Sequence, residues 1–261
     1  MDRKNYLVLK MIFKRQIHKL YTNLVYPNYY FSKKKYQKFI FIHPPQSGGN
    51  TIDFFFKVNF GLRNYNIGYY TEYENFDFSS DQLKKYFLIF GHFPYEFTFR
   101  NGQKDNYFYF TSIRNPKDRY LSNYFRNKKD FEKNGEKFMT LENFLEERYS
   151  QGLDNNYVRF FSSEKIYPDP AIEVNNLHLL DSLNNLKKLD FIFFLDNMNE
   201  NLLNFKKNFQ LLIDMTKFFN FHKNKVSNSR YPDLSLKEKE LLNKLTFYDD
   251  KLYQEIKKIK N

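Results

Sequence analysis

The sequence predicts an α/β fold: a central parallel sheet flanked by helices. Three observations predict it. Short runs rich in Phe, Tyr and Ile alternate with longer stretches of helical period, the pattern of a parallel sheet covered on both faces. Two of those runs pass directly into a helix start: Phe39–His43 stops at Pro44-Pro45 and a glycine pair, and Tyr107–Ile113 stops at Arg114-Asn115-Pro116. No internal repeat and no linker-like stretch divides the 261 residues. Residues 38–261 are therefore expected as one domain. The basic segment 1–37 is expected as a helix packed on it.

The elements follow in order. A strand over 39–43 leads into a helix from about residue 50. The 61–85 region is polar and loop-like, with Ser79-Ser80-Asp81 as a cap for a short helix. A strand over 86–90 ends at Gly91-His92. A strand over 107–113 leads to a helix over 115–128, with Pro116 in its first turn and Tyr120/Tyr124 and Leu121/Phe125 as pairs four apart. Thr140 opens a helix over 141–149. Pro168 and Pro170 precede a helix over 171–188, then a strand over 190–195 and a helix over 199–219. Ser235 and Glu238 are spaced as a capping box for a last helix reaching about 259.

Composition bounds the function. There is no cysteine, which excludes disulfides, thiolate metal sites and cysteine nucleophiles. The five histidines, His18, His43, His92, His178 and His222, show no metal-ligand spacing, so no metal is expected. The formal net charge is +12, which suits an anionic partner. Nucleic acid fits poorly, because the basic residues are dispersed and no helix-turn-helix, zinc or RNA-binding signature is present. No apolar run is long enough to span a membrane, and residues 7–13 are too short and interrupted for a signal sequence. A cytoplasmic location is expected. The N-terminal lysines leave open a peripheral contact with an anionic membrane.

The segment Ser47-Gly48-Gly49-Asn50-Thr51, between a strand and a helix, has the form of an anion loop. Unpaired N–H groups and the positive end of the helix dipole face the loop there. It is not a Walker A loop: Asn50 stands after Gly49 where the lysine would be. Arg114 at a strand end and Ser122 two helical turns later could grip one phosphate from two sides.

These two segments carry a resemblance. His43-Pro44-Pro45-Gln46-Ser47-Gly48-Gly49-Asn50-Thr51 is similar to the first loop of sulfotransferases that use 3′-phosphoadenosine 5′-phosphosulfate (PAPS), roughly His-Ile-Pro-Lys-Thr-Gly-Gly-Thr-Ser. Ile113-Arg114-Asn115-Pro116-Lys117-Asp118-Arg119-Tyr120-Leu121-Ser122-Asn123-Tyr124 resembles that family's Leu-Arg-Asp-Pro-x-x-Arg-x-x-Ser-x-Tyr, the more specific match. Phe90-Gly91-His92-Phe93-Pro94-Tyr95, Asp154 to Phe161, Ala171 to Phe194 and Thr246 to Tyr253 resemble the family's later segments in order. The pattern is closest to the carbohydrate-directed branch, which includes heparan and chondroitin sulfotransferases and bacterial relatives; a microbial or viral member fits best.

The resemblance implies a P-loop-like three-layer sandwich, PAPS as donor without a metal, and a glycan or other hydroxylated acceptor, anionic sugars included. Gln46 to Thr51 would hold the 5′-phosphosulfate, and Arg114 with Ser122 the 3′-phosphate. His92 is the candidate general base, since imidazole titrates near neutral pH, with Glu96 as fallback; His43 is expected to be structural. Gln46 replaces the family's leaving-group lysine and carries no charge, so Lys223 or Lys225 could close over the site instead. Arg119 and Arg159 are read as structural or ligand-facing. Two other readings stay open: an ATP-dependent phosphotransferase, and a non-catalytic nucleotide-binding relative, which Gln46 motivates.

Overall fold

β1, Lys38–Ile42, is an unbroken apolar run after its first residue, and only a strand buried on both faces can hide such a run. The computed structural model describes residues 38–60, 65–68, 88–99, 107–209 and 233–260. Among them β1 is the centre of a sheet completed by β2 (Tyr65–Gly68), β3 (Leu88–Gly91), β4 (Tyr107–Ile113) and β5 (Phe191–Phe194), in the order β2-β3-β1-β4-β5. All four pairings are parallel. The expected segment 1–37, the Ser79–Asp81 cap and the Lys223/Lys225 loop lie outside the described residues.

Alternation along each strand builds two cores. Phe39 and Phe41 of β1, Phe108 and Phe110 of β4 and Phe193 of β5 pack against Ile52, Phe55 and Phe56 of α1 (Gly49–Phe60) and Leu202 and Phe205 of α7 (Met198–Phe209). Phe41 and Phe110 are stacked, 4.7 Å apart and nearly parallel. Ile40, Ile42, Tyr109 and Phe194 face the other way, onto α5 (Asn156–Phe161), α6 (Asn176–Lys188) and α8 (Leu236–Lys260). A third cluster joins Tyr120, Leu121 and Tyr124 of α3 (Pro116–Lys133) to Phe144 and Leu145 of α4 (Leu141–Ser150) and to Leu242 and Leu245 of α8. The fold is thus α/β, with helices on both faces of a parallel sheet.

The cap chemistry explains the helix starts. Asn115 Oδ1 accepts from Lys117 N at 3.1 Å and Asp118 N at 3.2 Å, with Pro116 at the first helical position. Thr140 Oγ1 accepts from Asn143 N. Ser235 and Glu238 make the reciprocal bonds of a capping box, 2.8 and 3.1 Å.

Five elements differ from the sequence expectation. Residues 65–68, expected as loop, form the edge strand β2; four residues around one Ile carry no readable period. Short helix α2 (Tyr95–Phe99) and α5 were not expected, being too short for helical periodicity to show. α3 runs on to Lys133. α6 starts at Asn176 rather than 171, because the chain before it is committed to Arg159. That guanidinium, 2% exposed, donates to the carbonyls of Ile166, Asp169 and Ile172 and to the Asp154 carboxylate. Those carbonyls converge on one guanidinium, and the segment folds as short turns, Asp169 N to Ile166 O and Ile172 N to Asp169 O, rather than as a helix. Asn175 then caps α6.

Phe110→Ala removes a fully buried ring from the centre of one core. It is expected to lower unfolding free energy by about 3–5 kcal/mol, measured by chemical denaturation.

Candidate active site

The sheet order creates the crevice. The chain leaves β1 toward the β3 side and leaves β4 toward β5, and ligands in open α/β sheets sit outside the carboxyl ends of such a diverging pair. Register sets Ile42, the last residue of β1, opposite Thr111, and β4 runs two residues further to Ile113. Thr111 Oγ1 donates to Ile42 O at 2.6 Å, and Ser47 Oγ lies 3.3 Å from Ser112 Oγ.

The loop after β1 is held in shape by its own residues. Gln46 (φ 65°) and Gly48 (φ 89°) both take left-handed backbone. That conformation is costly for a glutamine, by about 1–3 kcal/mol, and such outliers concentrate at functional sites. Ser47, fully buried, donates its hydroxyl to Pro44 O. Its side chain therefore shapes the loop, and any anion contact from this residue falls to the backbone. Gly49 N–H donates to His43 Nε2 at 3.1 Å. A Cβ on Gly49 would run into that ring, and one on Gly48 into Leu195. Two N–H groups of the loop have acceptors within the protein: Gly49 N is taken by His43, and Thr51 N donates to Gly48 O at 3.0 Å. Gly48 N and Asn50 N have no acceptor among the described residues. These orphan donors, at the start of α1, fit an anion.

The two histidines divide their roles by tautomer. His43 accepts from Gly49 through Nε2, so that nitrogen carries no proton. Burial, followed by the neighbouring His92, holds its pKa well below the usual 6.5. His92 Nδ1 lies 2.7 Å from His43 O. A carbonyl only accepts, so Nδ1 bears the proton and Nε2 the lone pair. The two rings stack at 4.7 Å. Burial lowers the His92 pKa, the bond to His43 O raises it, and Arg126 lowers it.

Arg114 leaves the end of β4, 8% exposed, with its backbone N–H donated to Tyr157 Oη at 2.9 Å. Asp118 lies within its field: burial raises the Asp118 pKa, Arg114 lowers it and Asp196 raises it. Ser122 and Arg126 follow Asp118 at four-residue steps, so all three share one face of α3. At one end of that face Asp118 lies in the field of Arg114, at the other Arg126 acts on His92, and half-buried Ser122 stands between them along the helix.

Gln46 to Thr51, His92 and Arg114 follow the carboxyl ends of β1, β3 and β4, and Ser122 lies in the second turn of α3. Glu96 sits beyond it on α2. Arg159 serves the 162–175 segment. Arg119, 6% exposed, packs between the rings of Tyr120 and Tyr157, 4.5 and 5.2 Å from their centroids. Three neighbours were not expected from sequence. Leu195 abuts Gly48. Asp196 beside it accepts from Tyr253 Oη at 2.5 Å and Lys257 Nζ at 3.0 Å. Arg126 was the third; only its spacing from Ser122 could have marked it.

Both histidines are held neutral, with folded pKa values below 6.5. The unfolded chain binds protons more readily there, so this stability is full above pH 6.5 and is lost as pH falls below it. Urea unfolding at neutral pH and at roughly pH 5 should show a smaller acid loss in His43→Asn than in the wild type. Equal losses would mean that His43 is not the buried neutral group.

The model of the Sulfotransferase family matches residues 28–259. No curated protein matches the sequence. Among solved structures, mouse sulfotransferase SULT7A1 complexed with PAP is similar over 90% of this chain and 93% of that chain, with 14% identity and a TM-score of 0.49. The family match runs through both strand-end segments that border the crevice, and the chain belongs to the sulfotransferase family.

Proposed function

We propose that this sulfotransferase moves a sulfuryl group from PAPS to a hydroxyl of a glycan, with His92 as general base. The observation that carries the reading is the His92 tautomer: Nδ1 is anchored on His43 O, at the root of the anion loop, which leaves Nε2 as the basic nitrogen. PAPS supplies the sulfuryl group and departs as 3′,5′-ADP. Gly48 N, Asn50 N and the α1 dipole would hold the 5′-phosphosulfate, and Arg114 with Ser122 the 3′-phosphate. His92 Nε2 takes the acceptor hydroxyl's proton as that oxygen becomes nucleophilic. Its lowered pKa keeps it neutral near pH 7, as a base must be.

Gln46 donates a hydrogen bond to the leaving group but no charge. Support for a carbohydrate acceptor comes from the sequence resemblance. Arg126, exposed beside His92, and the net charge of +12 favour an anionic sugar.

Calorimetric titration with 3′,5′-ADP, beside ATP with Mg²⁺, tests the donor. Wild type is expected to prefer 3′,5′-ADP, and Arg114→Ala to lose that preference; preference for ATP with Mg²⁺ overturns the reading. His92→Gln should cut kcat/KM by about 10²–10⁴ while retaining 3′,5′-ADP. The wild-type rate should rise with pH through an acid limb centred below 6.5, and that limb should vanish in the variant. Gln46→Lys should raise kcat, because it adds a cation at the departing phosphate. Nucleotide binding without turnover on any sulfate acceptor, in wild type and Gln46→Lys alike, would mark a binding protein.

A further inference from the structure

Arg114 is the first residue beyond β4, so its backbone N–H has left the strand ladder. The phenol of Tyr157 takes that N–H at 2.9 Å. Tyr157 is itself fixed from the other side. It is the second residue of the short helix α5, and its own N–H donates to Asp249 Oδ2 at 3.0 Å, while Val158 N donates to Asp249 Oδ1 at 2.9 Å. Asp249 is fully buried in the middle of α8.

A second set of bonds joins the same two helices. Asn155 N donates to Leu245 O at 2.7 Å, and Asn155 Oδ1 accepts from Tyr248 N at 2.7 Å. Asn155 holds left-handed backbone to do so, with φ 43°. The Arg119 guanidinium lies over the Tyr157 ring and closes the remaining side. Tyr157 is 2% exposed, packed on every side.

We propose that Tyr157, clamped by Asp249, is a positioning residue that sets the Arg114 backbone and through it the enzyme's selectivity for a donor bearing a 3′-phosphate. The inference rests on the assignment of Arg114 to the 3′-phosphate. Its physical content is leverage. One hydrogen bond at the Arg114 N–H fixes where its side chain starts from the strand end. A fork that must meet a phosphate bidentately gains from that constraint, because less freedom is lost on binding.

The test compares 3′,5′-ADP with 5′-AMP, which lacks the 3′-phosphate, by calorimetry on the full chain. In wild type the affinity ratio measures the 3′-phosphate's contribution. Tyr157→Phe deletes the acceptor for Arg114 N and keeps the ring. It is expected to weaken 3′,5′-ADP about tenfold and leave 5′-AMP nearly unchanged. In an Arg114→Ala background the same change should leave the ratio unaltered. A purely structural role would weaken both nucleotides alike, in either background, and that result overturns the proposal. An unchanged ratio in Tyr157→Phe also overturns it. If Arg114→Ala itself keeps the wild-type ratio, the assignment of Arg114 fails first, and the proposal with it. Asp249→Asn keeps shape but weakens the clamp, and should shift the ratio in the same direction wherever the variant folds by circular dichroism; a folded Asp249→Asn with the wild-type ratio removes Asp249 from the device.

Discussion

The register between β1 and β4 is the constraint on which the crevice depends. Ile42 faces Thr111, so the anion loop leaves β1 beside the last two residues of β4, just before Arg114. The aromatic pattern enforces this. Phe39, Phe41, Phe108 and Phe110 all belong on the α1/α7 face, and Ile40, Ile42 and Tyr109 on the other. A slip by one residue would turn each set onto the wrong core. The Phe41–Phe110 stack and the Thr111 hydroxyl on Ile42 O lock the alignment at its carboxyl end. Hydrophobic packing beneath the crevice thereby sets the polar geometry above it.

On that base, two adjacent imidazoles perform different tasks because each has a different partner. His43 offers its lone pair to a backbone N–H and is thereby spent on loop shape. His92 offers its proton to a backbone carbonyl and so keeps a lone pair on the other nitrogen. Burial lowers both pKa values, which keeps two stacked rings from charging together. One hydrogen bond at a time, the fold turns a pair of like residues into a scaffold and a base.

Buried charge is handled differently on the far side of the sheet. Asp249 is pushed up to about 7 by burial, against the pull of Arg119 and of two backbone N–H groups. Arg159 is surrounded by carbonyls and by Asp154. Neither group is a surface ion pair. Each organises a segment too short to fold on its own: the six residues of α5 for Asp249, and the irregular 162–175 stretch for Arg159.

Much of this was legible in the sequence, for reasons that are local. Four strands, the α3 start at Pro116, the Thr140 cap and the Ser235/Glu238 box follow from residues within one turn of each other. The ordered pair of strand-end segments pointed to the family. What could not be read was set by distance along the chain. β2 and α5 are too short to show a period and exist because β3 and Asp249 supply their partners. The Ser47 hydroxyl is taken by Pro44 O and lies beside Ser112, 65 residues away. Tyr157 and Arg114 are 43 residues apart, and Asp249 a further 92 from Tyr157. By itself, then, the sequence determined the order of elements, the caps and the loop chemistry, because propensity and hydrogen bonding within a turn act over a few residues. Only the tertiary structure decided which buried donors meet which acceptors, because that depends on packing between segments that no local pattern encodes.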